Sequence, residues 1–315
     1  MLSGAGRGGS GGCFVRRRGS FALPRLAAAA CSVAALAGGG VADAAAAEIV
    51  RLPALRDATL IESSTGAFAN GAGAVLFAGR TSQPRDARRR ALLAFDVAAA
   101  LPPRVVVTSA TLTLALSPSN PDPVEMHLHR VLADWGEGAS AASGGSGAPA
   151  ALGDATWLHT FYADAFWADP GGDFAVPASA AATVGEAGVY RWNATPELIA
   201  DVQAWLDTPS QDFGWILIGD ESASSTAKRF YSREHTDASA QPMLEVEYAA
   251  PCELLAPDHG ARAICHAYCE ALDCDAGAPN GAQRACDRLA RGFARRSGGA
   301  PPPCERAGAA ADRGD

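Results

Sequence analysis

Cysteine placement constrains this chain more than any other feature. Of eight cysteines in 315 residues, Cys13 and Cys31 lie near the start and none falls between Ser32 and Pro251; the other six are Cys252, Cys265, Cys269, Cys274, Cys286 and Cys304. The cysteine-free stretch is long enough to close a hydrophobic core without cross-links. Six cysteines crowded behind it, an even number, read as a disulfide framework once the chain is exported. Six cysteines allow fifteen pairings, so the connectivity stays open. Two units are expected, one stabilised by burial and one by bridges.

The export signal lies at the N-terminus. Residues 1–25 are basic and lack acidic side chains, an apolar run follows from Leu26 to about Ala37, and small residues with Ala-x-Ala sites come next. That order is a secretory signal, and the run is too short to span a membrane. Cleavage is expected between Ala45 and Glu48. Arg17 and Arg18 echo the twin-arginine pattern with Phe21 one place late, and Arg25 and Pro24 argue against lipidation at Cys31. Losing residues 1–47 removes five arginines and Asp43, which takes the formal charge from −8 to −12. An exported chain this acidic is a poor partner for nucleic acid.

The middle reads as strands. "DATLIES", "AVLFAG", "RALLAFDV", "VVVTSATLTLAL", "VEMHLHRVL", "GVYRW", "GWILIG", "KRFYSRE" and "PMLEVEY" are short, rich in β-branched, leucine and aromatic residues, and punctuated by Gly, Pro, Asn, Asp or Ser. In one of them Ala110, Leu112, Leu114 and Leu116 share a face and Thr111, Thr113 and Ala115 share the other, the pattern of a strand with one wet side. "TPELIADVQAWLDTP" is the exception. Thr195 suits an N-cap, Pro196 the first helical position, and Leu198, Val202, Trp205 and Leu206 follow at helical spacing. Residues 136–149, nearly all Gly, Ala and Ser, read as a flexible insertion. In the tail, Ile264, Cys265, Tyr268, Cys269 and Leu272 fall on one helical face and Cys286, Leu289 and Phe293 on a second. The expected fold is all-β, a two-sheet antiparallel jelly-roll-like sandwich with one short helix, plus a small α-helical disulfide-rich C-terminal segment. The expected units are a signal peptide at 1–47, a sandwich at 48–250, a cysteine-rich helical hairpin at 251–304 and a disordered tail at 305–315.

Further blocks bring a family into view. "RRRALLAFDVAAALPPRVVVTSATLTLAL" resembles the first half of the disaggregatase-related (DNRLRE) domain, and "HRVLADWGEG", "GDATW", "GGDF", "WILIG" and "FYSREHTDASAQPMLEVEY" resemble its later blocks in order and spacing, together covering about residues 55–248. The resemblance implies a β-sandwich module of the kind carried by secreted and surface proteins of microbes, similar to carbohydrate-binding modules. It carries no catalytic residue set. The tail resembles a cysteine-rich segment found at the C-termini of bacterial exported proteins.

Candidate site residues cluster around "DWGEG". Asp134 and Glu137 flank Trp135, and Trp157 and Trp167 follow in the same irregular region. A glycosidase needs two carboxyls about 5 to 9.5 Å apart across the scissile bond, one kept protonated. Nothing in this loop is placed to raise one pKa, and the simpler role for Asp134 and Glu137 is to accept backbone N–H groups in a tight turn that Trp135 pins to the core. Exposed indoles beside carboxylates suit sugar rings, so Trp135, Trp157, Trp167, Asp134 and Glu137 are the ligand-binding candidates, with Trp157 and Trp167 the best placed for exposure. Trp192, Trp205 and Trp215 are assigned to the core. Asp57, Asp134, Glu137, Asp154, Asp169 and Asp173 supply oxygens that suit a structural calcium ion, although no 12-residue calcium loop is present. His127 and His129 share a strand face with Glu125 and lack a visible third ligand, which fits a wet face better than a metal centre. "PRDARRR" at 84–90 reads as a basic loop entering a strand. Zinc at Cys265, Cys269 and Cys274 with His266 is disfavoured by export. Downstream of the leader the sequence lacks the nucleophile-elbow, zincin and Walker A motifs, so no catalytic residue and no cofactor is assigned.

The leading expectation is a secreted non-catalytic module that binds a glycan or other extracellular polymer, acting outside the cell, in the periplasm or at the cell surface. The alternative is a structural or adhesive surface protein whose cysteine-rich tail docks a partner. A polysaccharide-cleaving enzyme comes third. No membrane span is expected once the signal is removed.

Overall fold

A computed structural model describes residues 47–255, 258–268 and 283–298. The strands are β1 (Glu48–Pro53), β2 (Arg56–Ile61), β3 (Phe68–Asn70), β4 (Val75–Arg80), β5 (Arg88–Ala94), β6 (Val106–Leu116), β7 (Val124–Arg130), β8 (Ala148–Pro149), β9 (His159–Phe161), β10 (Ala165–Phe166), β11 (Ala180–Val184), β12 (Gly188–Trp192), β13 (Trp215–Ile218), β14 (Lys228–Tyr231) and β15 (Met243–Ala249). The helices are α1 (Val97–Ala100), α2 (Pro196–Asp207), α3 (Pro251–Leu255), α4 (His259–His266) and α5 (Gln283–Ser297). The fold is all-β with a helical C-terminal segment.

Strand pairing is antiparallel throughout the described residues and forms two layers. The first layer runs β1–β15–β6, with β12 on the far side of β6 and β14 at its end. The second runs β3–β2–β5–β13–β7–β11, with β8 beyond β3. They join at β4, which pairs with β14 along its length and with β5 through Gly79 and Arg80. β9 and β10 form a separate two-stranded ribbon.

The main core lies between the layers. β6 delivers Ala110, Leu112, Leu114 and Leu116 to it, the face that its alternation defines. β5 and β13 deliver Leu93, Trp215 and Leu217 from the opposite side. Trp192 crosses the gap, meeting Phe230 edge to face and donating its indole N–H to the Met126 carbonyl at 2.9 Å. The helix α2 starts where its sequence directs. Thr195 Oγ1 accepts the Leu198 amide at 3.0 Å, and Leu198, Val202, Trp205 and Leu206 are buried. Its buried carboxylate, Asp201, accepts from the Ser179 hydroxyl and the Trp215 indole.

A second core lies on the other face of the second layer. Ala58 and Leu60 of β2, Leu92 and Ala94 of β5 and Ile216 of β13 pack there against Val131, Trp135, Ala155, Trp157 and Trp167 from the long excursion between β7 and β11. β5 and β13 are thus buried on both faces, which is why "ALLA" and "WIL" are continuous apolar runs and not alternations. The stretch 136–149, expected to be a flexible insertion, is part of this packed cover. Ser140 and Ala142 are buried, the Gly71 and Ala72 amides donate to the Ser140 carbonyl, and the Ala142 amide donates to Asn70. Two of its glycines serve close approach: a Cβ on Gly136 would meet the Gly153 carbonyl oxygen at 1.9 Å, and one on Gly138 would meet Asp154 Oδ1 at 1.7 Å. The same composition that reads as flexibility is what lets two backbones touch.

In the tail, Cys252 on α3 is bridged to Cys265 on α4. Both are buried with Ala261 and with Phe293 of α5. Cys286 on α5 is buried and disulfide-bonded as well. These bridges suit an oxidising compartment. Among the described residues no helix is long and apolar enough to cross a membrane. The expected signal peptide, Cys269, Cys274 and Cys304, and the 305–315 tail lie outside the described residues.

One buried carboxyl makes stability depend on pH. Asp212 Oδ2 accepts the Val97 amide at 3.4 Å while its Oδ1 lacks a partner among the described residues. Burial pushes this carboxyl up to about 7, and Asp96 adds to the shift. The folded chain therefore keeps a proton that the unfolded chain releases near its ordinary value of 3.8, so stability falls as pH rises from about 4 to 7. Thermal melts should show Asp212→Asn melting above the parent at pH 8 and near it at pH 4. Parallel curves across that range would contradict the assignment.

Candidate functional site

The "DWGEG" segment follows β7 and sits against β2. Asp134 Oδ1 accepts the Trp135 amide at 2.9 Å and the Arg56 guanidinium at 2.6 Å. Arg56 also donates to the Trp135 carbonyl and lies over the Trp135 ring, 4.4 Å from its centroid. Trp135 is fully buried, and its indole N–H donates to the Phe213 carbonyl at 2.8 Å. Glu137 turns the other way, accepting the Asp57 amide at 2.8 Å.

Exposure of Trp157 and Trp167 is corrected by the structure, since they retain only 4% and 5% of their accessible surface. Trp157 packs on the second layer, where the guanidiniums of Arg88 and Arg90 on β5 each lie 4.9 Å from its ring centroid. Trp167 donates its indole N–H to the Thr156 carbonyl at 2.9 Å. An indole whose faces are already covered offers no stacking surface to a sugar. Three of the four arginines of "PRDARRR" are likewise committed, while Arg85 is exposed. Arg88 pairs with Glu62, Arg89 is almost wholly buried among backbone carbonyls and Gln83, and Arg90 forms a two-pronged pair with Glu221 at 2.7 and 2.9 Å.

Of the six carboxylates that suited calcium, the structure brings two together and adds one that the sequence did not point to. Asp154 and Asp173 hold turns, Asp154 accepting from Ser140 and Ala151 and Asp173 from Ala168 and Asp169. Asp57 on β2 and Glu137 converge instead with Glu234, which follows β14. One oxygen from each lies within 4.8 Å of the others. Asp57 is fully buried, and its Oδ2 accepts the Arg233 amide at 2.7 Å. Arg233 Nη1 bridges Glu137 Oε2 at 3.1 Å and Glu234 Oε1 at 2.9 Å. Burial drives the Asp57 carboxyl well above its ordinary range, and Glu137 rises for the same reason. Oxygen donors from three separate segments, without nitrogen or sulfur, suit a hard cation. His127 and His129 are elsewhere, with ring centroids 6.3 Å apart; His127 faces Glu125 and His129 the Ala175 carbonyl.

Two of the surface recesses bear on ligand binding. One of about 660 Å³ is lined by acidic groups, among them Asp122, Glu125, Asp220 and Glu221. Glu221 is already tied to Arg90, and Asp220 is held below its ordinary range by hydrogen bonds from Ser222. The other, about 520 Å³, is a groove on the outer face of the first layer. Strand register builds it. Arg51 of β1 lies beside Glu245 of β15, which lies beside Thr111 of β6; Met243, Thr113 and Arg191 of β12 form the adjacent row. Asn193 and Gln241 close its ends. Arg51 pairs with Glu245 at 2.6 Å, whereas Arg191 is exposed on the surface. At ordinary strand spacing, four strands span about 14 Å, wider than one sugar ring.

Comparison with models of known protein families finds none that matches the chain, and comparison with curated proteins finds no relative.

Because Trp157 is interior, truncating it should act on stability. Trp157→Ala is expected to cost about 3–5 kcal/mol in denaturant unfolding. A variant as stable as the parent would return this residue to the surface.

Proposed function

We propose that the chain is an exported, non-catalytic module that binds a glycan or another extracellular polymer along the outer face of its first layer. The observation that carries this reading is the four-strand groove, in which guanidinium, hydroxyl and amide groups converge beside the apolar side chains of Val189 and Met243. A sugar presents hydroxyls at its edge and C–H groups on its faces. A largely polar groove that sets donors and acceptors beside a few apolar side chains is complementary to both. Strand-borne side chains also hold their spacing better than loop-borne ones. The net charge of the exported chain favours neutral polymers over strongly anionic ones, apart from local pairing with Arg191.

Three further features support the reading. The leader sequence directs export, the disulfide-bonded tail belongs in an oxidising compartment, and the blocks across residues 55–248 resemble the DNRLRE domain and its relatives among carbohydrate-binding modules. The tail then serves as a stapled appendage to the binding module. The original candidates Trp135, Trp157, Trp167, Asp134 and Glu137 support the module from within, by fixing the cover of the second layer.

The test is retention of the full exported chain on a panel of insoluble and gel-embedded polysaccharides. Retention on one polymer is expected to fall at least about tenfold in the double variant Arg191→Ala/Asn193→Ala, with its melting temperature unchanged, as for surface substitutions generally. Failure of every polymer in a broad panel to retain the parent would overturn the polymer reading and turn attention to the tail.

A further inference from the structure

We propose that Asp57, Glu137 and Glu234 form a binding site for one divalent cation of the calcium class, which ties β2, the root of the tryptophan-bearing cover and the segment after β14 into one unit. The inference stands apart from polymer binding.

The first support is geometric. Three carboxylates contributed by parts of the chain far apart in sequence each bring an oxygen within 4.8 Å of the other two. Like charges do not gather in this way without compensation, because a carboxylate withdrawn from water needs a partner. The second support is a donor left over. Asp57 is 0% exposed, its Oδ2 is taken by the Arg233 amide, and its Oδ1 has no hydrogen-bond partner among the described residues. The oxygen that remains available to the cluster is therefore Oδ1. Glu234 is in the same position, with Oε1 taken by Arg233 and Oε2 buried and without a partner. Both shortfalls fall in one cluster.

Charge supplies the third support. With all three carboxyls ionised, as a bound cation would hold them, the cluster less the Arg233 guanidinium carries two negative charges, the complement of one divalent ion. Arg233 does not occupy the place of that ion. Its guanidinium reaches Glu137 and Glu234, whereas Asp57 receives only its backbone amide. Its side chain is 37% exposed, so it can lean toward solvent as a cation settles against Asp57. The donors are oxygens alone, which favours calcium or magnesium over zinc or copper. Ligands drawn from three independent backbone segments form an irregular cage, and calcium tolerates irregular coordination where magnesium demands a near-ideal octahedron. Water and backbone carbonyls complete a shell of six to eight oxygens.

The rival occupant is a proton. A neutral Asp57 carboxyl sharing its hydrogen with a neighbouring carboxylate would also relieve the repulsion, and it would do so without metal. The two are separated by stripping the full chain with EDTA and titrating calcium chloride at pH 7.5, read by calorimetry, by thermal melts and by tryptophan-sensitised terbium luminescence. One calcium per chain is expected, with a melting temperature that rises with the logarithm of calcium concentration. Glu234→Gln keeps shape and removes one charge, and it should weaken calcium binding by at least about tenfold. Near-ultraviolet circular dichroism of the stripped variant, unchanged from the parent, shows that its fold is intact. Should that variant fail to fold, Glu137→Gln is read in the same way. No heat and no melting shift in the stripped parent would overturn the proposal in favour of the proton. Calcium binding that persists undiminished in both variants would also overturn it, by placing the ion elsewhere.

Discussion

The structure depends on one constraint, that the second layer is apolar on both sides. β5 sends Leu93 into the space between the layers and Leu92 to the outside, and β13 does the same with Trp215 and Ile216. A sheet with two greasy faces cannot leave one in water, since each buried leucine or isoleucine side chain is worth about 1.5–3 kcal/mol of transfer free energy. The excursion between β7 and β11 meets that need, bringing Trp135, Trp157 and Trp167 over β2, β5 and β13. It carries little regular structure of its own, so its order comes from what it covers.

Arginines hold the cover in place. Arg56 lies across Trp135 and binds Asp134, Arg88 and Arg90 lie across Trp157, and Arg233 gathers Glu137 and Glu234. A guanidinium on an indole face gains from both the quadrupole and the apolar contact, and the planar fork leaves its N–H groups free for a carboxylate or carbonyl. The first layer needs no such device. Along β6 the residues alternate between a dry inner face and a wet outer one, and that wet face is where polar side chains stand in register.

Much of the sandwich was legible in the chain. The nine strand segments correspond to β2, β4–β7 and β12–β15, and α2 begins at its Thr195 cap. β1, β3, β8–β11 were not read as strands; β11 opens with three alanines and has only Thr183 and Val184 as β-branched residues, and β8 and β10 are two residues each. Trp192, Trp205 and Trp215 lie in the core as their strand and helix positions suggested, whereas Trp157 and Trp167 show where local reading fails. Glycine and aspartate around "DWGEG" and "GGDF" signal turns, and turns are usually at the surface. Here they are folded against arginines distant in sequence, Arg56 over Trp135 and Arg88 and Arg90 over Trp157. The contrary signal was present in "ALLA" and "WIL", whose lack of alternation already called for a cover on the second face. Glu234 could not be found at all, because nothing local links it to Asp57 or Glu137; only the register of β14 brings it there. The buried Lys228, whose ammonium donates to the Asn120, Asp122 and Gly185 carbonyls, was hidden for the same reason.

Amide hydrogen exchange across residues 131–175 of the full chain tests the central claim most directly. If this stretch is the second wall of a core, the amides of Gly136, Ala155, Tyr162, Trp167 and Gly171, all hydrogen-bonded to backbone carbonyls, will exchange nearly as slowly as those of β5 and β13. Exchange at the rate of an open loop, with β5 and β13 still protected, would show that the tryptophan-bearing excursion is not bound down and that its indoles are free to meet a ligand.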